Sequence, residues 1–296
     1  KKTSQTKNGL MMTSIINWIA EPLSHVFMQN ALMAALSISV VCAILSCYVV
    51  LKGWSLMGDA ISHAVFPGVV VAVLLGIPIA LGAFVAGLFC AMSVGYLKNH
   101  TRLKEDTLMG VVFAGMFAVG LVIFTKLDTS QHLKHILFGN LLGISQEMLW
   151  QTLLICALIL VVMLIKKQDL LLYCFDPSHA RVSGLSLNFL HYGLLILLSA
   201  TIVMAIQAVG VILVVAMLIS PGITSFMLCK RFNSMLLLAI ITACLSSFLG
   251  VIVSYHLDSA TGSTIVLLQA LFFVIAIVFE KARCTFFAEK IFNKSK

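Results

Sequence analysis

Asp59 and His63 stand four residues apart in the stretch GDAISHAVFPG. On a helix that spacing puts both side chains on one face, about 6 Å apart at Cβ, so one carboxylate and one imidazole can reach the same divalent cation. Oxygen plus imidazole suits Mn(II), Fe(II) or Zn(II), whereas Cu(I) calls for Cys or Met. Pro67 lies four residues beyond His63 and has no N–H, so the His63 carbonyl is left for a further ligand bond or for a kink. The plainer reading makes Asp59 a helix-end cap beside Ser55 and Gly58, with His63 a satisfied buried histidine. One such pair is too few ligands for a tight site, and a symmetric dimer would supply it twice. Divalent-metal affinity orders alone do not let such a pair reject Zn(II) in favour of Mn(II). Selection then falls most simply to a delivering protein.

The elements that must position this pair are membrane helices. Of 296 residues, 61% are hydrophobic and 10% charged, against about 25% charged in a soluble domain. Mean hydropathy is +1.09. A water-soluble enzyme, a nucleic-acid binder and a disordered chain are excluded by these values. Runs long enough to span a bilayer lie near 28–51, 56–75, 78–97, 107–125, 148–165, 188–206, 209–229, 234–254 and 263–280. They lack strand alternation, which predicts an all-α polytopic bundle of about 8–10 transmembrane helices. Within these spans Asp59 reads as the one Asp, Glu, Lys or Arg well inside. A carboxylate at the centre of the bilayer costs about 2.5–3.5 kcal/mol, which marks an ion pathway.

The net charge of +8 comes from clusters between the runs. Lys52, then Lys98, Arg102 and Lys104, then Lys166, Lys167 and Arg181, then Lys230 and Arg231, and the tail from Lys281 all fall on one side, the cytoplasm. No nucleic-acid partner is needed to explain them. Nine crossings put the N-terminus outside, in conflict with Lys1, Lys2 and Lys7. The first ten residues are expected to be non-native, with Met11-Met12 as the natural start, unless a tenth partial crossing exists. The chain divides into an N-terminal tail (1–27), a transmembrane domain (28–280) and a basic cytoplasmic tail (281–296). Eight cysteines occur without a CxxC pair and behave as small apolar residues.

Three other segments carry expectations. Asp176 followed by Pro177 reads as an N-cap with Pro at the first helical position, and Gly184 as a stop. The result is a helix of about two turns within 176–187, either a plain connector or a docking helix for a cytoplasmic partner. His132 and His135, in the outer loop, could hold a metal transiently during hand-over or be ordinary surface histidines. The backbone around Gln207–Gly210 and Ser220–Gly222 is expected to be irregular and to flank the path. Glycines such as Gly82, Gly87, Gly115 and Gly120 permit close helix packing. No GxxxxGK[ST] phosphate loop is present, nor a second acid inside a span, so energy is expected from a partner.

The stretches KGWSLMGDAISHAVFPG (52–68), RLKEDTLMGVVFAGMFAVGLVIF (102–124), HLKHILFGNLLGIS (132–145), LLYCFDPSHARVSGL (171–185) and QAVGVILVVAMLISPG (207–222) together resemble the bacterial ABC-3 family of metal-ion permeases, its manganese and iron branch in particular. The resemblance implies a non-enzymatic, multi-pass inner-membrane subunit of an importer for Mn(II) and/or Fe(II), with no permanently bound cofactor. Its implied partners are a cytoplasmic ABC ATPase, a periplasmic metal-binding protein, and a second permease, identical or homologous. It implies that Asp59 and His63 contact the metal, and that the region of Asp176, Pro177, Arg181 and Gly184 couples to the ATPase. The near alternative is a Zn(II) importer of the same family. An ion-coupled secondary carrier and a structural scaffold are more distant.

Overall fold

The computed structural model describes residues 18, 20–54, 56–103, 105–125 and 141–294. Long apolar runs with no water to satisfy their backbone have one local solution, the α-helix, and these residues contain helices with no strand. In chain order they are α1 (Val26–Lys52), α2 (Met57–Leu75), α3 (Ile79–His100), α4 (Glu105–Phe124), α5 (Gln146–Ile165), α6 (Lys167–Phe175), α7 (Pro177–Val182), α8 (Leu187–Val209), α9 (Val211–Leu228), α10 (Phe232–Leu257) and α11 (Thr261–Lys294). Among the described residues eight helices are long and apolar enough to cross a membrane, and α9 adds a shorter apolar stretch, Leu213–Leu228. All nine candidate runs are thus helical. The last run and the start of the basic tail form one helix, where the sequence suggested a span followed by a separate tail.

Helix α1 is the most enclosed span, α4 the least. Around α1 pack α9, α10 and α5, and α11 closes over α9 and α10. On the other side α2 packs against α3 and α4, and α3 leans on α8. Small residues make these approaches possible, because lipid supplies no hydrophobic drive between helices. Ala43 and Cys47 of α1 meet Met235, Ala239 and Ala243 of α10, and Ser39 hydrogen-bonds Ser247.

The two expected irregularities have different outcomes. At Gly210, with φ 83° and ψ 165°, the chain breaks between α8 and α9. At Ser220-Pro221-Gly222 it does not break, and α9 runs through Pro221. Ser46 of α1 enters there: its hydroxyl accepts from the Gly222 N–H at 2.9 Å and donates to the Ile219 carbonyl at 3.3 Å. A neighbouring helix therefore re-satisfies the backbone that the proline disturbs.

Candidate metal pathway

Helix α1 ends in a turn that sets the start of α2. Gly53 takes a left-handed φ of 74°, and the N–H groups of Gly53 and Trp54 return to Val50 and Val49 carbonyls at 3.1 and 2.9 Å. This double closure uses the conformation that glycine adopts without strain. The Trp54 carbonyl then accepts the Met57 N–H at 3.0 Å, and α2 begins. Asp59 is its third residue, in the first turn. Its carboxylate faces His63, with Asp59 Oδ1 and His63 Nε2 3.5 Å apart.

That separation has chemical meaning. With metal–ligand bonds of about 2.1 Å, two donors on one ion stand about 3.4 Å apart at a tetrahedral angle and about 3.0 Å apart at a right angle. The pair is already spaced as two neighbouring ligands. Both side chains are accessible, 41% for Asp59 and 38% for His63, so the donors open outward from the bundle. No cluster of three or more His, Cys, Asp or Glu occurs among the described residues. One chain therefore offers two protein ligands here and leaves the remaining positions to water or to another donor.

The wall beside His63 comes from α4, backed by Phe66 of α2. Phe113 and Phe117, one turn apart on α4, face the His63 ring at 6.0 and 5.8 Å, and Phe66 meets Phe117 at 5.3 Å. This aromatic wall was not foreseen, although Phe113 and Phe117 share the same i, i+4 spacing as Asp59 and His63. Helix α4 comes close because of Gly120, where a Cβ would stand 2.6 Å from Phe66 Cδ1 and 3.0 Å from Pro67 N. Helix α3 comes closer still: Gly68 and Gly82 each lie against the other's backbone carbonyl. Gly87 fits against Ile61 and Val65 in the same way. Gly115 makes no such approach, since nothing lies within 4 Å of a Cβ there, and its packing role is set aside.

The segment 176–184 forms as its local chemistry dictates. Asp176 caps α7, its carboxylate accepting the N–H groups of Ser178 and His179 at 2.9 and 3.0 Å, with Pro177 at the first position. Arg181 lies in the last turn, and Gly184 closes the helix at φ 81°. Phe175 and Val182 are exposed on either side of the buried Ala180. These residues and the Asp59–His63 pair sit on separate elements. His132 and His135 lie outside the described residues.

The family described as ABC 3 transport family aligns with residues 24–280. The chain belongs to that family. Its ABC-3 relatives include a probable iron transport system membrane protein of Haemophilus influenzae, 62% identical over 91% of this chain and 99% of the relative. Another is the manganese transport system membrane protein MntB of Synechocystis, 49% identical over 88% of this chain and 86% of the relative. Among solved structures, PsaBC from Streptococcus pneumoniae in complex with Fab superposes with a TM-score of 0.79 at 38% identity, covering 88% of this chain and 95% of that one.

Proposed function

We propose that this ABC-3 chain is the permease subunit of an ATP-binding-cassette importer that carries Mn(II) and Fe(II) across the bacterial inner membrane, with Asp59 and His63 as the passing contact. The observation that carries the reading is the 3.5 Å separation of two donors on an open face of a membrane helix, in a family whose relatives are named for iron and manganese transport. The donors open outward and leave ligand positions for another donor, so a second permease copy covers this face and brings a second pair to the axis. Low ligand number per chain suits transport, since the ion must leave as readily as it enters. Delivery by a periplasmic metal-binding protein supplies the selectivity that an Asp–His pair lacks.

Energy comes from a separate ATPase that docks at α7, where Phe175 and Val182 offer exposed apolar contacts beside Arg181. The permease itself performs no covalent chemistry and keeps no cofactor, since the metal is its cargo.

The test is ATP-dependent uptake of radiolabelled Mn(II) by the reconstituted complex, with Fe(II) and Zn(II) as competitors, for the wild type, Asp59→Ala and His63→Ala. The reading expects Mn(II) uptake competed by Fe(II) and abolished in both variants while they still assemble with the ATPase. Normal uptake by either variant overturns the pathway assignment. Uptake that follows Zn(II) replaces the cargo but keeps the architecture.

A further inference from the structure

His191, in the first turns of α8, sits where four elements meet. Its Nδ1 is 2.9 Å from the Tyr173 hydroxyl of α6. Its ring stands edge-on to the Trp54 indole, with centroids 5.3 Å apart and planes at 78°. On the far side is Gly95 of α3, where a Cβ would stand 2.9 Å from His191 Nε2. Trp54 and Tyr173 are 1% and 5% exposed, so the half-buried imidazole rests against two closely packed groups.

We propose that His191 is the positioning residue through which movement of the cytoplasmic helices α6 and α7 reaches the metal-bearing helix α2. This rests on the importer reading given above.

The physical case is one of constraint at both ends. Helix α6 is joined to α7 through Asp176 alone, which closes α6 by donating its N–H to Leu172 at 2.9 Å and caps α7 with its carboxylate. A push on α7 therefore moves α6. At its start α6 is tied to α1 by the Tyr48 hydroxyl, which donates to the Lys167 carbonyl at 3.2 Å. Farther along, the Lys52 ammonium lies 3.9 Å from the centre of the Tyr173 ring. Tyr173 thus moves with α6, and its hydroxyl holds the imidazole. Trp54 stands edge-on to the imidazole and the side-chain-free Gly95 lies beside its Nε2 edge, so a shift of the ring is passed to Trp54. Trp54 in turn is fixed by backbone: its N–H is bonded to Val49, and its carbonyl to the Met57 N–H that opens α2. Asp59 is two residues farther on. A contact network transmits only if its members have two arrangements that both ends bias, and that is what the experiment reads.

The measured quantity is metal transported per ATP hydrolysed by the reconstituted complex, for His191→Leu, His191→Asn, Tyr173→Phe and the His191→Leu/Tyr173→Phe double variant. A residue that only stabilised the fold would lower the amount of complex, with the ratio per complex unchanged. The link expects normal assembly and basal ATPase activity, with transport per ATP down about tenfold in His191→Leu and in Tyr173→Phe, the weight of one lost hydrogen bond. The double variant is expected to lose no more than either single one. His191→Asn, which keeps a polar atom near the Nδ1 position, is expected to recover most of the ratio. An unchanged ratio in the single variants, additive loss in the double variant, or an Asn variant no better than Leu overturns the link. If His191→Leu does not assemble, Tyr173→Phe, which removes one oxygen atom, decides. Absence of ATP-dependent uptake by the wild type overturns the importer reading itself, whereas wild-type uptake with unchanged coupling in the variants overturns only the link.

Discussion

The contact between Gly68 and Gly82 makes a sharp prediction about what holds α2, the helix of Asp59 and His63. In Gly68→Ala the new Cβ meets the Gly82 carbonyl oxygen, stands 2.5 Å from the Ala86 Cβ and 2.8 Å from the Gly82 carbonyl carbon. Carbon atoms rest at about 3.5–4.0 Å, so α2 and α3 must part by about 1 Å. Two of the three obstacles are backbone, which cannot rotate aside. Overpacking of this kind costs about 1–3 kcal/mol, and the upper end applies here. Gly115→Ala is the control, since open space surrounds that position and alanine favours helix over glycine by about 1 kcal/mol. The assay is thermal unfolding of the detergent-purified complex, followed by size-exclusion and uptake. The expected result is a marked loss of stability and of uptake in Gly68→Ala, with neither loss in Gly115→Ala. A Gly68→Ala/Gly82→Ala double variant should be less damaged than the sum of the singles, because once the helices part the second methyl costs less. Equal stability of Gly68→Ala and Gly115→Ala would refute the reasoning.

Other perturbations follow from the same geometry. Ser46→Ala removes the hydroxyl that serves both Gly222 and Ile219 and is expected to cost about 1–3 kcal/mol in thermal stability; an unchanged melting profile counts against the insertion. Gly184→Ala forces a side chain into φ 81° with nothing within 4 Å to clash, so its cost is backbone strain alone, about 1–2 kcal/mol. It should lower transport per ATP while the bundle stays folded, and unaltered coupling would remove Gly184 from the docking turn. Cys174 in α6 has its thiol pushed from the ordinary 9.0 up to about 12 by burial, against a smaller opposite pull from the Lys52 ammonium. Its thiolate fraction at pH 8 is then about a thousandfold below that of an ordinary cysteine. Peptide mapping after brief maleimide treatment at pH 8 should find Cys174 unmodified in the folded complex and modified after denaturation. Ready labelling in the folded state would contradict the packing around α6.

Much of this architecture was legible because bilayer length and apolar composition leave the backbone little choice. Local chemistry was equally readable at Asp176, Pro177 and Gly184, where cap, first position and stop lie within nine residues of one another. The start of α2 was legible too: the run expected from residue 56 opens as a helix at Met57, once the Gly53 turn has closed on α1. The continuity of α9 through Pro221 was hidden because the group that repairs it, Ser46, stands 176 residues earlier. Phe113 and Phe117 carried a periodic signal that matters only once α4 is known to face α2. His191 carried no local signal at all, since its partners come from α3, α6 and the turn before α2.

The place of Asp59 near one end of α2 bears on how the membrane potential acts. A helix of 19 residues is about 28 Å long, and its third residue stands about 3 Å from the start. In the orientation expected from the basic loops that start is cytoplasmic, so on the proposed pathway a divalent cation arriving from outside crosses most of the voltage drop before it meets the carboxylate. A doubly charged ion gains about 4.6 kcal/mol per 100 mV over the full drop. If the pair is the passing contact proposed above, its occupancy is itself voltage-driven, filled by an inside-negative potential, while the final step into the cytosol is nearly electroneutral with respect to the field. On that reading the potential fills the site, and the work left to the proposed ATPase is to change which side the site faces.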